Sequence, residues 1–202
     1  MLATAIEHLR TISTDTPTDV AFFYCSFVDL ASQNLANILG SLLFQLTATR
    51  PSLMDRLGSL YNDSRNQSDG VSIDALTTVF QESLLEEQDR ITYLIVDAMN
   101  EAGEQTSAAL AGIITDLVKQ AASSGTSLRV ILSSTHHYAQ EHEAETNTKF
   151  HLREVYMQGN LVNTDVQVFV DDRLSKQSQF RHIKGKAREE MREAVLSRAD
   201  GM

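Results

Sequence analysis

Asp97 and Glu101 are the residues whose type and spacing come nearest to chemistry. The run Ile91-Thr92-Tyr93-Leu94-Ile95-Val96 is β-rich and apolar and ends on Asp97, and Glu101 follows four residues later. A carboxylate at the end of a buried strand can hold magnesium, which takes few carboxylates and fills its shell with phosphate oxygens and water. Glu101, just beyond, is placed to orient a water for attack on a terminal phosphate. Asp at a strand end also caps the following turn in many α/β folds, so spacing alone leaves both readings open.

The next apolar run, residues 128–132, leads directly into Ser133-Ser134-Thr135-His136-His137. Hydroxyls at that position can sense a terminal phosphate, and a Ser-Ser turn can equally cap a short helix. His136, His137 and His142 offer imidazoles. Adjacent histidines rarely point the same way and Cys25 is remote in sequence, so solvated or capping roles are expected. No Gly-x-Ser-x-Gly elbow occurs. Nothing singles out a carboxylate pair of the glycosidase kind.

These residues need a frame. The chain has 202 residues, 42% hydrophobic and 22% charged, enough for one domain with a sizeable core. A net charge of −10 argues against nucleic acid or an anionic membrane as the main partner. The single cysteine, Cys25, excludes an internal disulfide and reads as a buried strand thiol. No apolar run approaches a membrane span. The N-terminus lacks a basic region, so it does not read as a secretory signal. A cytoplasmic, reducing location is expected.

Patterning predicts a helix over residues 1–12, with Leu2, Ile6 and Leu9 at helical spacing. A buried strand is predicted over 20–27, and helices over 32–49, from Pro51, and over 72–87 with Ser72 as cap. The strand 91–96, a helix 106–122 closed by Ser123-Ser124-Gly125, and the strand 128–132 follow. A last strand is predicted over 150–157. Thr164 and Gln167 read as a capping box opening a helix to Leu174. A final helix should place Phe180, Ile183, Ala187, Met191 and Val195 on its apolar side. The mixed charges from Lys184 to Arg198 read as a solvated face. Strands alternating with helices predict a mainly parallel, three-layer α/β sheet with right-handed crossovers. Ligands in such sheets sit at the carboxyl ends of strands, beside Asp97 and Ser133.

Over nearly its whole length the chain resembles the NACHT-type signalling NTPases of the STAND class, in their nephrocystin-like fungal form. Residues 22–27 are similar to that family's second core strand, and Ile38-Leu39-Gly40-Ser41-Leu42-Leu43-Phe44-Gln45-Leu46 to its next helix. Leu94-Ile95-Val96-Asp97-Ala98-Met99-Asn100-Glu101 resembles its Walker B, residues 128–135 its sensor strand, 165–174 its Asp-Ile-x-x-Tyr-Val segment, and Ala199-Asp200-Gly201-Met202 its closing Ala-x-Gly-Met. The resemblance implies a P-loop NTPase-like sheet spanning residues 1–202 as one nucleotide-binding core, with a helical part over 164–202. It implies Asp97 as magnesium ligand, Ser133 and Ser134 as nucleotide-site residues, Glu101 as catalytic base, and magnesium with ATP or GTP as the intact family's ligands.

Three departures weigh against turnover. No Gly-x-x-x-x-Gly-Lys-Ser/Thr loop occurs, and the chain begins at a segment similar to the one that follows it. The second acid of the Walker B is Asn100, and Thr135 stands where the sensor strand usually has arginine. Phosphoryl transfer depends on positioning and charge stabilisation, and losing one preorganised donor already costs roughly 10²–10³ in rate. The expectation is therefore a catalytically silent fragment of an NTPase switch, lacking the first core strand and holding no cofactor by itself. In that class the absent strand lies between the sensor strand and the final strand, so those two would either close together or leave an open edge for a partner. The alternative is a non-enzymatic module that pairs with full-length relatives or with itself. An intact hydrolase of another kind has no recognisable site.

Overall fold

The computed structural model describes residues 2–11, 16–65, 71–86, 89–135, 155, 159–180 and 182–198. The chain divides into two compact units, residues 1–150 and 151–202.

The first unit is an α/β layer structure. Its described strands are β1 (Thr18–Tyr24), β2 (Ile91–Asp97) and β3 (Ser127–Leu132). They form a parallel sheet in the order β1-β2-β3. Register places Ala21 opposite Leu94 and Tyr24 opposite Asp97, then Leu94 opposite Val130. β2 is the central strand, and its Leu94, Ile95 and Val96 are fully buried. Strand side chains alternate between faces. Ala21, Leu94 and Val96 therefore join the main core, while Phe22, Ile95 and Ile131 share the opposite face.

Helices α2 (Leu35–Thr47), α4 (Ile73–Leu85) and α5 (Glu104–Ser124) fill the core side. Ile38, Leu39, Leu42, Leu43 and Leu46 of α2 meet Leu76, Phe80 and Leu84 of α4 and Leu110, Ile114 and Leu117 of α5. On each helix these residues recur at three- and four-residue spacing and so share one face. α3 (Pro51–Arg65) buries Leu53 in the same core. α1 (Leu2–Thr11) packs on β1 on the other face, with the Arg10 guanidinium 4.9 Å from the Phe22 ring centre.

Several boundaries differ from expectation. β1 ends at Tyr24 rather than residue 27, because the chain turns at Ser26 into a 3₁₀ turn, Leu30–Gln33. α2 then starts at Leu35, capped by Asn34 Oδ1, which accepts the Asn37 N–H. Ser72 stands at the cap position of α4 without a side-chain capping bond. α5 runs two residues further at each end than predicted and closes on Gly125 at φ 80°, a left-handed cap suited to glycine.

A buried ion cluster ties the amino ends of the strands to the helices. Arg50 Nε donates to Asp19 Oδ2 at 2.8 Å, its Nη2 donates to Thr92 Oγ1 at 2.6 Å, and its Nη1 donates to the Ser83 carbonyl. Arg90 Nη1 donates to Asp19 Oδ1 at 2.9 Å. Arg50 and Asp19 side chains are each 2% exposed.

The second unit contains α6 (Gly159–Lys176) and α7 (Lys186–Arg198). Among the described residues, Val170 and Leu174 are buried apolar residues of this unit, and Arg192 Nε donates to Asp171 Oδ1 at 2.8 Å. α6 begins at Gly159, so Thr164 and Gln167 lie inside the helix rather than opening it. α7 begins only at Lys186. Phe180 belongs to a separate 3₁₀ turn, Ser178–Phe180, and Ala187 and Val195 are exposed, so the predicted apolar side is not one continuous stripe. The strand predicted over 150–157 lies outside the described residues apart from Val155, which is exposed and in no regular element. Among the described residues, no helix is long and apolar enough to cross a membrane.

Candidate functional site

The carboxyl end of the sheet collects the residues singled out from sequence. Asp97 closes β2, half-buried, and Cys25 N–H donates to the Asp97 carbonyl at 3.0 Å, extending the β1–β2 pairing by one residue. Ser133 continues β3 in the same way, its N–H donating to the Val96 carbonyl at 3.0 Å. The two strand ends therefore lie side by side. Ser133 Oγ donates to Asp97 Oδ1, and the same hydroxyl oxygen accepts the Ala98 N–H at 2.8 Å. Met99 N–H donates to the Ser133 carbonyl at 2.9 Å.

The chain leaves β2 through Ala98 at φ 54°, ψ 46°, the one non-glycine residue with positive φ among those described. For an L-residue that conformation costs about 1–2 kcal/mol. It is held by the two bonds to Ser133. The following 3₁₀ turn, Met99–Ala102, is anchored from below, where Ser107 Oγ of α5 donates to the Met99 carbonyl at 2.5 Å.

Asn100 and Glu101 face different partners. Asn100 Oδ1 accepts the Thr135 N–H at 3.1 Å. Glu101 Oε2 accepts the Phe27 N–H at 3.1 Å and so reaches across to the β1–α2 loop. Ser134 is exposed and takes part in interactions of its own. Of the expected site residues, Asp97 and Ser133 meet directly, and Glu101 is tied to the neighbouring loop. His136, His137 and His142 lie outside the described residues. Among the described residues, no group of three or more His, Cys, Asp or Glu side chains converges in a metal-binding arrangement.

Cys25 lies among these acids. Burial pushes its thiol up to about 11, and the Asp97 and Glu101 charges add to the rise. This protonated thiol is no nucleophile; Cys25 is buried as expected but lies one residue beyond the end of β1.

The charge around the site is one-sided. No Lys or Arg occurs in residues 11–49, 91–118 or 130–148. These stretches supply the strand ends, the β1–α2 loop and the start of α5. The site therefore offers carboxylates, hydroxyls and backbone N–H groups without a cation from those segments.

Sequence reading missed the β1–α2 loop as a partner of Glu101. Its available signal was the density of Ser, Asp, Gln and Asn over residues 26–34, which fits a self-bonded turn. The Asp97–Ser133 contact was implicit in the strand-end rule.

A family model, Nephrocystin 3, N-terminal, matches residues 1–135, from α1 through the Asp97–Ser133 strand ends. The chain belongs to the nephrocystin 3 N-terminal family. Vegetative incompatibility protein HET-E-1 of Podospora anserina is 23% identical to this family member over 159 residues, covering 78% of the chain. The chain spans 11% of the length of that relative. No solved structure matches. In this nephrocystin 3 N-terminal chain, the matched region holds the whole described sheet and both hydrogen-bonded strand ends.

Proposed function

We propose that the chain is a fragment of a NACHT-type nucleotide switch. It carries the magnesium-facing side of the site and does not turn nucleotide over by itself. The observation that carries this reading is the pairing of Asp97 with Ser133 at the adjacent carboxyl ends of β2 and β3. A carboxylate with a hydroxyl beside it at a parallel strand end suits a hydrated magnesium ion bridging to phosphate oxygens. The donor set fits such an ion only with phosphate present, since one strand-end carboxylate is too few to hold magnesium alone. Asp97 would be its protein ligand. Bound there, magnesium with ATP or GTP would supply charge neutralisation on the phosphates.

The same geometry supports silence. Glu101, the residue in the position of a base, spends one carboxylate oxygen on the Phe27 N–H. Asn100 is not a carboxylate and is bonded to Thr135. No Gly-x-x-x-x-Gly-Lys-Ser/Thr run, the motif that supplies the backbone N–H groups and lysine of a phosphate cradle, occurs in the sequence.

A second reading draws on β3. Among the described strands it pairs only with β2, so its outer edge can take a strand from a full-length relative. Manganese electron paramagnetic resonance with ATP tests the first reading. Weak manganese–ATP binding that disappears in Asp97→Asn, with no phosphate release, is the expected result. Sub-micromolar ATP binding without metal, or steady hydrolysis, would overturn it. A stable complex with a full-length relative that survives Asp97→Asn would instead favour pairing.

A further inference from the structure

The β1–α2 loop, residues 25–34, puts large apolar side chains into solvent. Phe27 is 71% exposed, Val28 77% and Leu30 79%. Scattered exposed apolar residues need no explanation, but three within four positions form a patch. The loop is also rigidly built. Phe27 N–H is held by Glu101, and Gln33 Nε2 donates back to the Phe27 carbonyl at 3.0 Å. Ser32 Oγ accepts the Ser26 N–H at 2.8 Å, and Asp29 Oδ1 accepts the Ala31 N–H at 3.0 Å. From α5, Thr106 Oγ1 donates to the Gln33 carbonyl at 2.9 Å. Such preorganisation lowers the ordering cost of binding. Beside the loop lies a groove of about 470 Å³, bounded by Tyr24, Asp29, Ser41 and Gln45 among others.

The charges nearby select the partner. Asp29 and Glu104 are exposed, and Asp97 and Glu101 are half-buried close by. The surrounding stretches, residues 11–49 and 91–118, contain no Lys or Arg. A second copy would bring the same acids to the contact, and an anionic membrane would be repelled. A protein segment with apolar side chains flanked by lysine or arginine matches both the tip and its rim.

We infer that the tip formed by Phe27, Val28 and Leu30, with its acidic rim, docks a basic amphipathic helix of a partner protein. The docking rests on Phe27, Val28, Leu30, Asp29 and Glu104, none of which belongs to the Asp97–Ser133 pair, although Asp97 and Glu101 add to the negative rim.

The test is a fluorescence anisotropy titration of the whole chain with a labelled 18-residue Leu/Lys amphipathic peptide. Its Leu/Glu counterpart serves as control. The Leu/Lys peptide should bind at least about tenfold more tightly than Leu/Glu, and salt should weaken it several-fold. The triple variant Phe27→Ser, Val28→Ser, Leu30→Ser should lose about tenfold or more in affinity while its circular dichroism and melting temperature hold. Asp29→Asn with Glu104→Gln should lose several-fold and keep the apolar contact. Equal binding of both peptides, or full binding by the triple-serine variant, would overturn the inference. So would a concentration-dependent dimer, or binding to phosphatidylcholine vesicles, that the triple variant abolishes. Those outcomes would assign the tip to a second copy or to a lipid surface.

Discussion

Arg50→Met removes the centre of the buried ion cluster with a side chain of similar length. Asp19 then keeps only Arg90, and the Ser83 carbonyl and Thr92 hydroxyl lose their guanidinium partner. Removing one member of a buried pair typically costs about 3–5 kcal/mol, since a desolvated charge is left behind. Arg90, which is partly exposed, offsets some of this, so the lower part of that range is expected here. With a urea slope of about 2 kcal/mol/M, a loss of about 3 kcal/mol lowers the unfolding midpoint by about 1.5 M. That is a large share of the ~5–15 kcal/mol a domain has. Asp19→Asn alone should cost a similar amount by stranding Arg50. The double variant should cost clearly less than the two singles summed, because neither charge remains buried without its partner. The assay is urea unfolding of all four proteins followed by circular dichroism. A shift below about 0.4 M for Arg50→Met, or strict additivity in the double variant, would refute the claim that this cluster is dry and tightly coupled.

Ala98→Gly should stabilise the chain by about 0.5–1 kcal/mol, raising the melting temperature by about 2 °C, because glycine adopts φ 54° without strain. No change, or a decrease, would mean that the Ser133 bonds do not impose that conformation. Gln45→Ala should cost about 1 kcal/mol, since Gln45 Oε1 accepts the Phe22 N–H at 3.2 Å and its Nε2 donates to the Phe22 carbonyl at 2.8 Å. The freed β1 edge should then increase self-association in light scattering. The Cys25 thiol, pushed up to about 11 from its ordinary 9.0, keeps its proton in the native state between pH 9 and 11 while the unfolded chain loses it. The native state thus binds more protons across that window, so this contribution to stability falls as pH rises from 9 to 11 and is flat below 9. Disulfide-reagent reactivity of the native chain should keep climbing about tenfold per pH unit beyond pH 9, and a plateau at 9 would contradict the buried thiol.

The elements most legible in the sequence were those with strong local pattern. The run 91–96 is short, β-branched and apolar, which fits a buried strand, and the Ile/Leu spacing of α2 fits a helix face turned to a core. The Thr-x-x-Gln pair at residues 164–167 misled because that pattern also occurs within a helix, where nothing local distinguishes it from a start. β1 was read too long because Phe27 continues the apolar composition while the Ser26–Ser32 bond turns the backbone away. The Asp19–Arg50 pair joins positions 31 residues apart, and the Glu101–Phe27 bond positions 74 apart. Neither has a periodic signal: the first depends on α2 folding back along β1, and the second on the parallel crossover that brings β1 beside β2. Asp97 and Ser133 were legible for the opposite reason. Each directly follows its own strand, and adjacent parallel strands must bring their carboxyl ends together.

Asp97, Asn100 and Glu101 each hold a different piece of backbone or side chain: Ser133, the Thr135 N–H and the Phe27 N–H. Their genetics will therefore mislead anyone who scores only phenotype. A null allele at any of the three can arise from a loosened scaffold and lowered abundance as easily as from lost chemistry. Protein level and melting behaviour have to be measured beside every such allele before a role in signalling is assigned to it.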